Sequence, residues 1–504
     1  MRPWPKGPLI YEINTWVWLC ELSRQAAHPL TLASVPDAEW DRIAELGFDV
    51  VWLMGVWERS PEGIRISMAN EGLLADFHRA LPDFEAQDNV GSPYCVRRYA
   101  VDAHLGGSAA LAVARSKLAE RGLRLLLDFV PNHVALDHPW VHEHPHYFIQ
   151  GTQDDVERDP HAFIAINGSV FACGRDPYFP AWPDVLQLNA FDERLRTAAT
   201  ETLTTIAGQC DGVRCDMAML LINAIFERTW GSRAGFRPEA EYWPQVISAV
   251  KEKYPEFQFI AEAYWDLEWE LQQQGFDYCY DKRLYDHLEH DSAKGVGLHL
   301  GADVTYQEKL IRFIENHDEP RATAVFDPAK HRAAAVTVLT LPGARLIHEG
   351  QLDGWRVRLP VFLGRRPEEA SDPDLFSFYQ CLLKALHGGT FLQGRWWLCE
   401  HFGWPDNQSH MNLVCWCWQN GEASCLTVVN LAASSSQGLV RVPWDHLRGS
   451  FWQLKDLFTS AIHERHGDEM CGSGLYVNLP PWGFHIFMWR AYDQAEEVKE
   501  IDTL

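Results

Sequence analysis

No stretch of the 504 residues carries the roughly 18 consecutive apolar side chains that a membrane-spanning helix needs, so no span is predicted. No CxxC pair occurs. The 12 cysteines are scattered, the nearest neighbours being Cys415 and Cys417, so neither a zinc ribbon nor a disulfide framework is indicated. HExxH spacing is absent. His142, His144 and His146 alternate, but no carboxylate or cysteine pattern completes a zinc site around them, and they read as solvated loop residues. Basic side chains are scarce: 44 Lys and Arg against 69 Asp and Glu give a net charge of −25. A surface this acidic excludes nucleic acid and anionic membranes as natural partners. Internal repeats and low-complexity tracts are also missing. The first seven residues are Pro-rich and polar, without the charged and apolar regions of a secretory signal. The expectation is therefore a cytoplasmic protein with reduced thiols.

What is present is the composition of a large folded protein, 47% hydrophobic and 22% charged. The chain holds 22 Trp and 15 Tyr, flat faces of the kind that stack on sugar rings. Short, apolar, β-branched runs alternate with helical stretches. They fall at 9–18 (LIYEINTWVW), 48–54 (FDVVWLM), 123–130 (LRLLLDFV), 212–216 (GVRCD), 257–262 (FQFIAE), 276–280 (FDYCY), 311–316 (IRFIEN) and 344–348 (ARLIH). Continuous apolar strands are buried on both faces, as in a parallel sheet, and eight such units predict a closed (β/α)8 TIM barrel. A helix is predicted from about Asp37 to Leu46, stopped by Gly47.

The spacing predicts an insertion. Asp128 and Asp216 lie about 88 residues apart, some fifty more than the roughly 31 of one barrel unit. The surplus forms a small subdomain, 134–183, inserted after strand three. The barrel then occupies 1–133 and 184–394. Beyond it, alternating strands at 411–418, 424–430, 437–442, 475–479 and 483–489 predict a C-terminal antiparallel β-sandwich over 395–495, with an acidic tail at 496–504. The long segment 55–98 after strand two is expected to wall the cleft, with Phe77 and Phe84 in that wall.

Barrel enzymes carry their reacting groups at the C-terminal ends of the strands. Asp128, Asp216, Glu262 and Asp318 sit at or just past those ends, on strands three, four, five and seven. A carboxylate closing an apolar strand is costly to bury, and four converging on one rim indicate a catalytic centre. Glycoside cleavage needs one ionised carboxylate and one that holds a proton. Arg214, two residues before Asp216 and on the same side of the strand, is expected to keep Asp216 ionised, as a nucleophile requires. Glu262 closes an apolar strand, where desolvation raises a carboxyl pKa, as an acid requires. His133 and His317 are candidate donors to sugar hydroxyls.

Four segments, in order and on the right strands, resemble the signature regions of the α-amylase superfamily (glycoside hydrolase family thirteen): DFVPNH at 128–133, GVRCD at 212–216, IAE at 260–262 and FIENHD at 313–318. The resemblance implies retention of anomeric configuration. It implies Asp216 as nucleophile, Glu262 as acid/base and Asp318 as transition-state stabiliser, with His133, Arg214 and His317 around the ring being cleaved. GSPY at 91–94 resembles the segment whose tyrosine stacks on that ring, which nominates Tyr94. Where starch amylases carry a Lys-His pair after the nucleophile, this chain has Met219 and Leu220, and NHDEPR at 316–321 looks more like exo-acting α-glucosidases. Asn132 and Asp184 resemble two ligands of the superfamily's structural calcium, but the about six oxygens of a hard-cation site do not assemble, so no metal or cofactor is required.

The expected activity is hydrolysis of short α-glucosides or malto-oligosaccharides. The alternatives are transglycosylation on the same site, endo-acting starch cleavage, and a non-catalytic carbohydrate-binding protein, which the four intact carboxylates disfavour.

Overall fold

The computed structural model describes residues 4–387, 391, 393–421 and 423–491. The barrel strands are β1 (Leu9–Asn14), β2 (Val50–Met54), β3 (Arg124–Phe129), β4 (Gly212–Cys215), β5 (Gln258–Ala261), β6 (Tyr278–Tyr280), β7 (Leu310–Arg312) and β8 (Ala344–His348). They form a closed parallel barrel in chain order, with β1 pairing both β2 and β8. Ile10, Trp52, Leu126, Ile260, Tyr280 and Leu346 fill its interior, while the larger cluster packs between strands and surrounding helices. The barrel is thus a packed core, and its chemistry is confined to the rim.

Two strands depart most from their sequence patterns. The run 9–18 is strand only to Asn14, and the helix Thr15–Ala26 follows at once. Its buried face, Thr15, Trp18, Leu19 and Leu22, has three- and four-residue spacing, the helical period, and that outweighs the β preference of Trp and Val. The run 311–316 leaves the ladder after Arg312. Asn316 then organises a tight turn, its Oδ1 accepting from the backbone N–H of Asp318 and Glu319, both at 2.9 Å. The helix expected near 37–46 is Asp37–Glu45.

The insertion after β3 is a four-stranded antiparallel sheet in the order His133–Ala135, Trp182–Gln187, Ser169–Gly174, Phe163–Ile166. At the C-terminal end, a six-stranded and a three-stranded antiparallel sheet face one another across Leu413, Cys415, Leu426, Val440 and Val477. Four of their strands, Arg395–Leu398, Glu400–Phe402, Phe451–Asp456 and Ile462–His466, mix exposed, half-buried and charged positions and left no clear alternating signal. Trp418 donates from its indole N–H to the Thr340 carbonyl at 2.7 Å, tying this unit to the barrel. The acidic tail expected at 496–504 lies outside the described residues. No helix among the described residues is long and apolar enough to cross a membrane.

Candidate active site

The ends of β4 and β5 are in register, and the ladder continues one step past each. Asp216 N–H donates to Phe129 O at 2.8 Å, and Glu262 N–H to Cys215 O at 3.1 Å. Both carboxylates are therefore delivered to the same level of the rim. Arg214, 1% exposed, lies between them. Its Nη1 donates to Asp216 Oδ1 at 2.7 Å and its Nη2 pairs with Glu262 Oε2 at 2.8 Å. The second contact is an ion pair rather than a directed hydrogen bond, since Nη2 has no well-aligned acceptor. Asp128 Oδ1 lies 3.9 Å and Asp318 Oδ2 4.0 Å from the same guanidinium. One cation thus meets all four strand-end carboxylates, and Tyr94, Trp52 and Tyr280 cover it with ring centroids at 5.1, 5.5 and 5.9 Å.

A cleft of about 490 Å³ opens above, lined by Tyr94, His133, Asp216, Glu262 and Asp318 together with Met217 and Tyr264. Asp128 and His317 sit behind it, 1% and 4% exposed. Asp128 Oδ2 accepts from Gly55 N–H at 3.0 Å. That turn needs glycine: φ is +77°, and a Cβ there would fall 2.9 Å from the Pro93 Cβ. His317, expected to donate to a sugar, has both ring nitrogens engaged within the protein. Nδ1 bonds Glu12 Oε1, and Nε2 lies 2.7 Å from Tyr94 Oη and 3.0 Å from Asp318 Oδ2. His133 lies edge-on to Trp182 at 5.2 Å, and burial lowers its pKa to about 4, so it is neutral.

The electrostatics separate the carboxylates. Burial raises Glu262 to about 7, Arg214 opposing and Asp216 and Asp318 reinforcing. Asp318 is lowered to about 2: burial works against its charge, but His317 and Arg214 outweigh it. Its side chain remains 41% exposed toward the cleft. Opposing influences meet at Asp216. Burial shifts its pKa upward despite the direct bond to Arg214, with Asp318 and Asp128 adding to the rise. Arg214 stabilises the charge on Asp216, but burial and the repulsion of the neighbouring carboxylates outweigh it.

Several site residues were not found from sequence. Met217 adopts left-handed backbone, φ +44°, which turns its N–H onto Glu262 Oε2 at 2.6 Å. Tyr264 donates its hydroxyl to Glu262 Oε1 at 3.0 Å. Trp182, Asp184 and Val185 of the inserted sheet line one side of the cleft, and Ile66, Ser67, Asn70 and Leu73 of the segment after β2 another. That segment does form a wall, but Phe77 is fully buried and packs with Phe84 and Phe362 behind it, and only Phe362 reaches the cleft. Met219 and Leu220 are not at the cleft either. They are 0% and 3% exposed, turned into the core by the short helical turn Ala218–Leu221.

Asn132 and Asp184 do not come together as a cation site would require. His133 pairs with Gln187, which places Gln187 beside Asn132 and Asp184 farther along the strand. Gln187 Nε2 donates to Asn132 Oδ1 at 2.9 Å and to Asn132 O at 3.0 Å. An amide donor thus takes the oxygens a calcium ion would need, and the residues present do not fit that ion.

A model of the α-amylase catalytic domain matches residues 38–357. The chain belongs to the α-amylase family. Among curated α-amylases, MalA of Haloarcula japonica is 25% identical over 397 residues, 76% of this chain and 49% of the relative. α-Amylase 3 of Dictyoglomus thermophilum is 22% identical over 287 residues, 52% of this chain and 54% of the relative. The chain therefore spans about half the length of the curated α-amylases it matches. Among solved structures, the maltogenic α-amylase AmyB of Thermotoga neapolitana superposes with a TM-score of 0.68 at 18% identity, over 97% of this chain and 99% of that one. At that identity the likeness is one of fold, and it extends through the inserted sheet and the C-terminal sheets of this α-amylase family member.

Proposed function

We propose that this α-amylase family member is a glycosidase that hydrolyses α-glucosidic bonds in short substrates with retention of configuration. The observation that carries the reading is the placing of Asp216 and Glu262 on adjacent nitrogens of one guanidinium. That arrangement favours the short carboxyl separation of retaining enzymes, about 5–5.5 Å. Asp216 Oδ1 is taken by Arg214, which leaves Oδ2 to attack the anomeric carbon. Glu262 Oε2 faces a backbone N–H and a guanidinium, both donors, so the carboxyl proton belongs on Oε1, where the Tyr264 hydroxyl can turn to accept. In the first step that proton passes to the glycosidic oxygen as the bond to the anomeric carbon breaks and Asp216 forms an ester. In the second, Glu262 takes a proton from water, which displaces Asp216. Asp318, ionised and exposed to the cleft, stabilises the positive charge that builds on the ring in both steps. A product screen over maltose, isomaltose, sucrose, trehalose, malto-oligosaccharides and glucosyl-polyols tests this reading. Added acceptor in the same screen separates hydrolysis from transfer.

The preference for short substrates rests on the cleft wall. The segment after β2 is locked to the segment after β8 by a bridge between Asn89 and Leu363, and by Arg365 bonding Asp88 at 2.6 and 2.8 Å. Phe362, next to that bridge, lines the cleft on this side, and in this reading it closes one end. A pocket closed at one end takes chain termini and rejects chain interiors. kcat/KM is expected to be higher for di- to tetrasaccharides than for soluble starch. Rapid loss of starch viscosity with long early products would contradict it.

We also propose that no metal is essential, on the strength of the Asn132–Gln187 pairing. Activity and melting temperature should be unchanged by exhaustive chelation. A lower melting temperature restored by calcium would overturn this.

A further inference from the structure

A fifth carboxylate stands behind the four on the rim. Glu12 lies on β1 between Tyr11 and Ile13, is the strand's one charged residue and is 0% exposed. Its Oε1 bonds His317 Nδ1, and its Oε2 has no hydrogen-bond partner among the described residues. A buried carboxylate with one unpartnered oxygen is costly, and an apolar side chain would fill the barrel at less expense. Its placing therefore points to a role in the site.

That role follows from the ring it touches. His317 is bracketed by carboxylate oxygens on both nitrogens, Glu12 on Nδ1 and Asp318 on Nε2. Ionised carboxylates only accept, so the ring satisfies both of them when each nitrogen carries hydrogen, as an imidazolium. A neutral imidazole would set a lone pair against one carboxylate or the other. Tyr94, stacked on the ring at 5.4 Å, can accept from Nε2 as well. Trp52 meets the ring edge-on at 5.5 Å. The other charged groups nearby are Arg214, 4.0 Å from Asp318, Asp128, whose carboxyl feels the His317 charge, and Tyr280, which feels that of Glu12. Arg321, His348 and Glu349 border the small cavity behind the ring.

We propose that Glu12 is a positioning residue that keeps His317 a permanent imidazolium, so that its second N–H holds Asp318 ionised and aimed into the cleft. The proposal rests on the glycosidase reading above for its consequence, but not for its geometry. Burial opposes a charged ring, yet Asp318 and Glu12 together raise His317 to about 10. The charge on Asp318 is thus made independent of pH over the working range by a residue that never meets substrate.

Glu12→Gln separates charge from shape. The new amide oxygen still accepts from Nδ1–H, so ring and tautomer keep their place, but one of the two carboxylates is gone. His317 then titrates nearer the ordinary histidine range, and its neutral form turns a lone pair on Asp318. The ratio of wild-type to variant kcat/KM should grow by about tenfold or more between pH 5.5 and pH 8. Glu262 titrates in both proteins and cancels from that ratio. A ratio constant with pH, whether near unity or large, would show a merely structural residue and overturn the proposal. A second measurement needs no folded variant of Glu12. In 15N-histidine NMR of the wild type, with the His317 signal assigned by its loss in His317→Gln, both ring nitrogens should be protonated at pH 8. A neutral ring there overturns the proposal. A wild type inactive on every glucoside would sink the glycosidase reading and leave this ring measurement standing.

Discussion

Asp216→Asn should lower kcat by about 10⁴-fold or more, the scale on which loss of a covalent nucleophile acts. The amide keeps the shape of the side chain, and its oxygen can still accept from Arg214 Nη1, now at 2.7 Å from Oδ1. In the proposed mechanism, what is lost is the electron pair that forms the glycosyl ester. The same substitution should not lower the melting temperature at neutral pH. Burial raises the folded Asp216 pKa above its unfolded value. A carboxyl shifted in that direction contributes stability while it is protonated, below its unfolded pKa, and loses that contribution as pH rises through its folded pKa. At neutral pH the charge is therefore a cost, and the neutral amide removes it. Arg214 still has Glu262, Asp128 and Asp318 as counter-ions. Kinetics and calorimetry on one preparation check both halves. An inactive variant that is also strongly destabilised would point to a structural role for Asp216.

Glu262→Gln should have the second-largest effect, and its signature is in pH and leaving group. Glu262 must carry a proton to act as the acid, and burial places its pKa at about 7. The wild-type kcat/KM should therefore fall as pH rises through about 7. In the variant that limb should vanish, and turnover of maltose should drop by about 10²–10⁴-fold, the usual contribution of general acid catalysis. An α-glucosyl fluoride, whose leaving group needs little protonation, should be affected far less in its first step. An alkaline limb that persists in the variant would assign the acid to another group.

The barrel and the identities of the rim carboxylates were legible because both are local patterns. A strand buried on two faces reads as an apolar run, and a carboxylate at its end is conspicuous. The consequences of sharing were not legible. Arg214 and Asp216 two residues apart suggested a private pair, whereas the guanidinium is divided among four acids from four strands, and only the closed barrel brings these together. Met219 and Leu220 looked like cleft residues because they follow the nucleophile, but the left-handed backbone at Met217 turns the chain back into the core, and sequence spacing cannot report a sign of φ. Asn132 and Asp184 resemble two calcium ligands in sequence, but strand register sets Gln187 next to Asn132, since a shift of a few positions along a strand changes which side chain arrives. Glu12 did carry a signal, the one charge in its strand, but its meaning depends on His317, about 300 residues away, reaching it across the closure of the barrel.

The central claim is that two carboxylates on one guanidinium cleave an α-glucosidic bond through an ester on Asp216. Proton NMR of the first sugar released from α-glucosyl fluoride tests it most directly. The account predicts α-glucose as the initial product, with the β-anomer appearing only at the rate of mutarotation. β-Glucose as the initial product would contradict it.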